Sequence, residues 1–293
     1  MLDGIIVKGI GGFYYIKTEL GVVEAKARGK FRSKSLTPIV GDRVKVSIVD
    51  EAELKGSLDE ILPRKNSFIR PPVANLDQII ITFAAKDPEP NLRLVDKLSV
   101  TALAADVSCA VCINKTDIAP KEAHELAEIY RQTGFAVILS SSETGEGKDE
   151  LKELLKGKVT AFAGNSGVGK SSILNSLIGD EQMETGTISD KIKRGRHTTR
   201  HVELLELPFG GYAFDTPGFS SFEVEGLKAA DLENYFPEFA PYLGECRFAG
   251  CAHINEPDCS VKDALNEGKI SQSRYESYKE LYDTLKQVKE WMK

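Results

Sequence analysis

Residues 164–172 read Gly-Asn-Ser-Gly-Val-Gly-Lys-Ser-Ser and lie between the apolar run Val159–Ala163 and a helical pattern over Ser171–Leu177. The pattern G-x-x-x-x-G-K-S works only where a strand turns sharply into a helix, so that backbone N–H groups and the helix N-terminus converge on one phosphate. It therefore demands a strand–loop–helix unit within an α/β sheet. Gly164, Asn165, Ser166, Gly167, Val168 and Gly169 are expected to wrap a β-phosphate, with Lys170 reaching the β/γ oxygens. Ser171 and Ser172 open the helix, and the Ser171 hydroxyl is placed for Mg²⁺.

The neighbouring pattern agrees. From Leu76 onward, apolar DQIIITFA, SCAVCIN, FAVIL and KVTAFAG alternate with the amphipathic stretches NLRLVDKLSVTALA and KEAHELAEIYRQ. That alternation reads as a doubly wound parallel sheet with helices between its strands. Asn114, Lys115, Thr116 and Asp117 directly follow the apolar run Ala110–Ile113, at the strand end where open α/β sheets bind ligands. Asp117 offers two carboxylate oxygens to the N1–H and 2-amino donors of guanine, a pair that adenine lacks. Asn114 would brace the loop and meet the acceptor edge of the base, and the Lys115 stem would cover its face. Ser140 and Ser141, at the start of SSSETGEG, follow the run FAVIL and are placed for contacts to the guanine carbonyl. In Asp215-Thr216-Pro217-Gly218, Asp215 would hold Mg²⁺ through water and the Gly218 N–H would sense a γ-phosphate. Between these motifs, RGRHTTRH at 194–201 occupies the position of a switch loop, with Thr198 and Thr199 as candidates to cap Mg²⁺.

Either side of the sheet the pattern changes. Residues 1–68 carry short β-type runs (Gly4–Ile10, Phe13–Ile16, Arg43–Val49) separated by glycine turns, the rhythm of a small β-barrel of OB type. The proline-bearing stretch Arg64–Asn75 reads as a linker. Beyond about residue 222 the strands stop. There Cys246, Cys251, His253 and Cys259 form a Cys₃His set suited to one closed, structural Zn²⁺, in a loop too poor in large apolar residues to fold unaided. A helical tail follows, with Tyr278, Leu281, Tyr282, Leu285, Val288 and Met292 on one face. Cys109 and Cys112 lie in an apolar strand and read as core residues. The expected domains are 1–68, an RNA-binding OB barrel; 69–226, the nucleotide domain; and 227–293, the zinc-binding and helical domain.

The net charge of −6 argues against a nucleic-acid partner only until it is divided. Residues 1–70 hold 13 Lys and Arg against 9 Asp and Glu, a net of +4, which leaves −10 for the rest. Lys26, Arg28, Lys30, Arg32 and Lys34 occupy every second position, so in an extended segment all five face one way, suited to RNA phosphates, with Phe13 or Phe31 available to stack on bases. Lys191, Lys193, Arg194, Arg196 and Arg200 add a second basic stretch. No apolar run approaches the ~20 residues that cross a bilayer, and the first residues lack a secretory leader pattern, so the expectation is a cytoplasmic chain with no membrane partner, acting as a monomer.

Order is the unusual element. Asn114–Asp117 precedes the phosphate loop, whereas in ordinary small GTPases that motif comes last. With the barrel before and the Cys/His cluster after, the whole chain resembles the circularly permuted ribosome-assembly GTPases of the RsgA (YjeQ/YloQ) type. The resemblance implies a Mg²⁺-dependent GTPase that binds GTP and GDP, acts late in maturation of the small ribosomal subunit, contacts its rRNA, and leaves after subunit-stimulated hydrolysis. It also implies that His197, in Gly195-Arg196-His197-Thr198-Thr199, orients the attacking water, because Phe219 stands where Ras-type enzymes carry a glutamine. Two other classes fit parts of the sequence: a nucleotide-gated RNA-binding module whose hydrolysis is incidental, and a metal-handling NTPase. Permutation also joins Asp215–Gly218 to the C-terminal region by only Phe219–Gly226, a short route from γ-phosphate to that region.

Overall fold

The computed structural model describes residues 1–28, 31, 36–185, 202–215 and 227–291, with side chains undescribed at 180–185, 215 and 288–291. They group into two compact units, one of residues 1–79, 149–162 and 171–223, the other of 80–148, 163–170 and 224–293.

The first unit begins with a five-stranded barrel of β1 (Leu2–Ile10), β2 (Phe13–Thr18), β3 (Gly21–Ala27), β4 (Arg43–Asp50) and β5 (Lys55–Ile61). Pairing runs β1–β2–β3–β5–β4 and returns to β1, so no barrel edge stays open. Alternate positions point inward, and Ile6, Ile16, Val23, Ala25, Val44, Val46 and Leu58 fill the interior with Phe31. The strand directions leave Glu19, Asp50, Glu51 and Glu53 at one end of the barrel and Lys26 and Arg28 at the other.

Of the expected basic stripe, Lys26 and Arg28 are among the described residues; β3 stops at Ala27, and the Phe31 N–H donates to the Arg28 carbonyl at 3.2 Å. Phe31 is buried in the barrel core and cannot stack on a base. Arg28 is paired with Asp59 at 2.7 Å, and Lys26 lies 4.7 Å above the half-buried Phe13 ring. Lys30, Arg32 and Lys34 lie outside the described residues.

The stretch read as a linker is instead a small ribbon, β6 (Ser67–Phe68) paired with β7 (Val73–Ala74). Asn66 makes paired hydrogen bonds with the Leu76 backbone, and Asn75 donates to the Gly41 carbonyl at 2.9 Å. Phe68, Val73 and Ala74 are buried, so the prolines shape a packed turn.

The chain continues through β8 (Gln78–Ala84), α1 (Leu92–Ala104), β9 (Ser108–Asn114), α2 (Pro120–Arg131), β10 (Ala136–Ser140), α3 (Lys148–Leu155), β11 (Val159–Ala163), α4 (Lys170–Thr185), β12 (Glu203–Glu206) and β13 (Tyr212–Asp215). In the first unit β11 pairs in parallel with β13, β13 with β12, and β12 antiparallel with barrel strand β1. Lys8 on β1 pairs with Glu203 on β12 at 3.1 Å.

In the second unit the order is β10–β9–β8, with β10 and β9 parallel. Its C-terminal part consists of 3₁₀ turns at Ala229–Tyr235 and Pro237–Tyr242, then α5 (Ser260–Asn266) and α6 (Gln272–Trp291). Leu232, Phe236, Phe239, Val261, Tyr275 and Tyr278 form a core that also takes in Val100 of α1. On the expected α6 face Tyr278 is buried, and Leu281, Tyr282 and Leu285 pack against this core; the side chains of Val288 and Met292 lie outside the description.

Arg274 of α6 is fully buried. It donates to Asp96 of α1 at 2.6 Å and grips Glu238 through Nε at 2.6 Å and Nη2 at 3.2 Å. Tyr130 donates to the same Asp96 oxygen at 3.1 Å. Burial holds the Asp96 carboxyl above its usual range, although Arg274 pulls it down. No helix among the described residues is long and apolar enough to cross a membrane.

Candidate functional site: a nucleotide cradle and a thiolate–imidazole cluster

The phosphate loop and the guanine motif meet within the second unit. The buried Asn114 side chain ends β9 and donates from Nδ2 to the Val168 carbonyl at 2.9 Å, so the residue expected to read the base also braces the phosphate loop. Gly169 has φ +98° and lies against this amide; a Cβ there would collide with Asn114 Nδ2. Lys170 donates from Nζ to the carbonyls of Gly164 and Asn165 at 2.7 and 2.6 Å, and burial draws its ammonium below the usual lysine range. Its charge is thus held at the mouth of the loop. Val168 is buried, while Ser166 and Gly167 are exposed and Ser171 and Ser172 begin the exposed face of α4.

Asp117 is exposed, and its Oδ1 accepts a hydrogen bond from Ser141 Oγ at 2.6 Å. Ser140 and Ser141 are buried at the end of β10 and the start of the following loop. Lys115 takes a left-handed φ of +64° and donates from Nζ to the Asp87 carbonyl. Thr116 is buried and donates its N–H to the Ser140 carbonyl at 3.2 Å. The residues expected to read the base are therefore held by contacts with the loop at 140–147 as well as by their own turn. Cys112 is buried, and burial pushes both Cys109 and Cys112 thiols up to about 12, as suits core residues.

The described residues include β13 and the backbone of Asp215 at its end. Its side chain lies outside the description, as do His197, Thr198, Thr199, Gly218, Phe219 and the basic stretch Lys191–Arg200.

The four expected metal ligands converge, with their ligand atoms all within 4.8 Å of one another. Cys246 Sγ lies 3.8 Å from Cys259 Sγ, and His253 Nδ1 lies 3.6 and 3.3 Å from the two sulfurs. A tetrahedral Zn²⁺ with Zn–S bonds of ~2.3 Å has S···S edges of about 3.8 Å, so this donor set fits one structural zinc. Burial raises the Cys251 thiol to about 12, whereas at Cys246 hydrogen bonds from Ser260 outweigh burial and lower it to about 7. A divalent cation supplies the charge that would deprotonate all three together.

Sequence spacing missed the support of this cluster. Glu233, thirteen residues before the first ligand, lies 2.8 Å from His253 Nε2 and fixes Nδ1 as the ligating nitrogen. Tyr275 and Tyr278 donate to the carbonyls of His253 and Ala252 at 2.6 and 2.9 Å. The apolar-poor loop is thus seated on the aromatic core of the tail, so metal is not its sole organiser. Glu233→Ala is expected to weaken zinc binding about 10–100-fold in competition with a chromophoric chelator. Wild-type affinity in that variant would show that the carboxylate does not orient the imidazole.

Comparison with known proteins agrees with this geometry. The RsgA GTPase family model matches residues 61–225, and the RsgA N-terminal domain model matches residues 3–54. Small ribosomal subunit biogenesis GTPase RsgA of Ruminiclostridium cellulolyticum is 50% identical over 290 residues, covering 98% of this chain and 95% of that one. The protein of the same name from Caldanaerobacter subterraneus is also 50% identical, over 99% of this chain and 96% of its own. Among solved structures, YjeQ from Thermotoga maritima shares 37% identity with a TM-score of 0.81, covering 97% of this chain and 98% of its own. YloQ, described as a circularly permuted GTPase, shares 35% identity with a TM-score of 0.80, covering 98% of this chain and 96% of its own. The family implies GTP, GDP and Mg²⁺ as ligands, beside the zinc that the Cys₃His cluster fits. With an N-terminal barrel, a permuted nucleotide fold and a cysteine-rich C-terminal region, the chain belongs to the RsgA family of circularly permuted GTPases.

Proposed function

We propose that this GTPase acts in late maturation of the small ribosomal subunit, binding its rRNA in the GTP state and leaving after subunit-stimulated hydrolysis. The observation that carries the reading is near-full-length similarity to relatives named for small-subunit biogenesis. The barrel's charge separation supports it, because Lys26 and the Arg28–Asp59 pair lie opposite an end that bears Glu19, Asp50, Glu51 and the Glu53–Lys55 pair, leaving the Lys26 end the more positive. An RNA surface would favour approach by the Lys26 end and repel the other.

In this reading residues 1–68 bind RNA, 69–226 hydrolyse GTP and 227–293 form the zinc-binding and helical domain. The protein works in the cytoplasm as a monomer. Gly164–Gly169 wrap the phosphates, and Lys170 neutralises charge on the β/γ oxygens. Ser171, Asp215, Thr198 and Thr199 serve Mg²⁺, the Gly218 N–H senses the γ-phosphate, and His197 orients water. Phosphoryl transfer requires little more than such positioning and charge stabilisation, so a subunit that orders the switch loop would accelerate it.

Sedimentation with small and large subunits in GDP, GTP and a non-hydrolysable analogue tests the reading. Binding should be confined to the small subunit and be tightest with the analogue. Added small subunits should raise turnover, and His197→Ala should remove that rise without changing nucleotide affinity. Unstimulated turnover despite binding would favour a nucleotide-gated RNA-binding module.

A further inference from the structure

We propose that Glu146 is a positioning residue for guanine recognition, holding together the two loops that aim the Asp117 carboxylate. Its carboxylate accepts the hydroxyl proton of Thr116, the residue immediately before Asp117. Its backbone carbonyl accepts the Ser141 N–H at 3.1 Å, and Ser141 Oγ in turn donates to Asp117 Oδ1 at 2.6 Å. Glu146 therefore reaches Asp117 from both sides, through its chain neighbour and through its hydrogen-bond partner.

The direction of these bonds matters. Ser141 Oγ also accepts the N–H groups of Glu143 and Thr144 at 3.3 and 3.2 Å, which leaves its single proton for Asp117. Thr116 Oγ1 lies 3.2 Å from the Ser140 carbonyl as well, but a carboxylate is the stronger acceptor and takes the proton. The backbone makes this arrangement obligatory at the next residue. Gly147 has φ +74° and is packed so closely on the Leu139 carbonyl that a Cβ would collide with it, which fixes the path by which the loop returns past β10. Glu146 lies within the stretch 140–147 that follows the run FAVIL, but neither the N-K-T-D pattern nor the serines that open that stretch single it out; its link to Thr116 appears only in the fold.

The assignment rests on residues 114–117 being the guanine site, and the test separates the two. Dissociation constants for GDP, IDP and ADP are measured on the full chain for wild type, Glu146→Ala, Glu146→Gln, Thr116→Val and the Ala/Val double variant, with thermal unfolding as the check on folding. Glu146→Ala and Thr116→Val should each weaken GDP about five-fold, less than the full worth of a charge-assisted hydrogen bond because the link reaches the base only through Asp117. The double variant should be no worse than either single one, because both remove the same link. Gln keeps an acceptor oxygen and should restore most of the affinity.

IDP lacks the 2-amino group and so the second half of the bidentate contact. A misaimed Asp117 should therefore cost GDP more than IDP, and the GDP-to-IDP ratio should fall in both single variants while the unfolding midpoint holds. Equal losses for the two nucleotides, or additive losses in the double variant, would overturn the role of Glu146 while leaving the guanine site in place. A wild-type protein that binds ADP as well as GDP would remove the guanine reading itself, and this assignment with it.

Discussion

Asp117→Asn is expected to exchange guanine for xanthine as the preferred base. In the proposed site the carboxylate would present two acceptors to the N1–H and 2-amino donors, and the substitution turns one acceptor into an NH₂ group facing another donor. Xanthine carries an oxygen at that position and restores the match. Two charge-assisted bonds at about 1.5–3 kcal/mol each set the loss of GDP affinity at roughly 10²–10⁴-fold, with XDP gaining in its place. Ser141 can still donate to the remaining oxygen, and Asn114 still holds the Val168 carbonyl, so the cradle itself should persist. Titration with fluorescent GDP and XDP reads the exchange; an Asn variant that keeps the wild-type preference would show that Asp117 does not face the base.

The largest stability effect should come from Arg274→Ala. The guanidinium is buried between Asp96 and Glu238, whose side chains are 0% and 2% exposed. Its removal leaves two carboxylates without their counter-charge, and breaking a buried pair in this way costs about 3–5 kcal/mol. Urea unfolding should shift accordingly, with hydrogen exchange rising first in residues 92–104 and 272–287. Replacing all three groups together, Arg274→Met with Asp96→Asn and Glu238→Gln, should recover a large part of the loss, since no charge is then stranded. Wild-type stability in Arg274→Ala would show that water or rearrangement satisfies both carboxylates.

What the sequence disclosed and what it concealed differ in range. The phosphate loop, Asn114–Asp117 and the four zinc ligands are short patterns whose chemistry is contained in their own spacing, and the strands and helices around them follow from local periodicity. Glu233 meets His253 from outside the cysteine motif, and Glu146, although within SSSETGEG, is joined to Thr116 only by the fold, so no spacing marks either contact. Arg274 looks like any polar residue on an amphipathic helix until α1 and the 3₁₀ turn at Pro237–Tyr242 are folded against it. The alternating basic residues after β3 misled for the opposite reason. Their period invites an all-RNA reading, but within the described residues Phe31 is part of the barrel core and Arg28 is paired with Asp59, contacts that no local period discloses.

The separation of Asp96 from Arg274 also sets a timetable for synthesis. The two residues are 178 positions apart in the chain. At about 5–20 residues per second, a ribosome making this protein needs roughly 10–35 s after Asp96 to add its partner. Through that interval the nascent α1 carries a carboxylate destined for the interior without its guanidinium partner, and the core that Arg274 completes is assembled only after the C-terminal helix has left the exit tunnel. A chain stopped before residue 274 would retain every nucleotide motif yet lack the cation buried against Asp96 and Glu238.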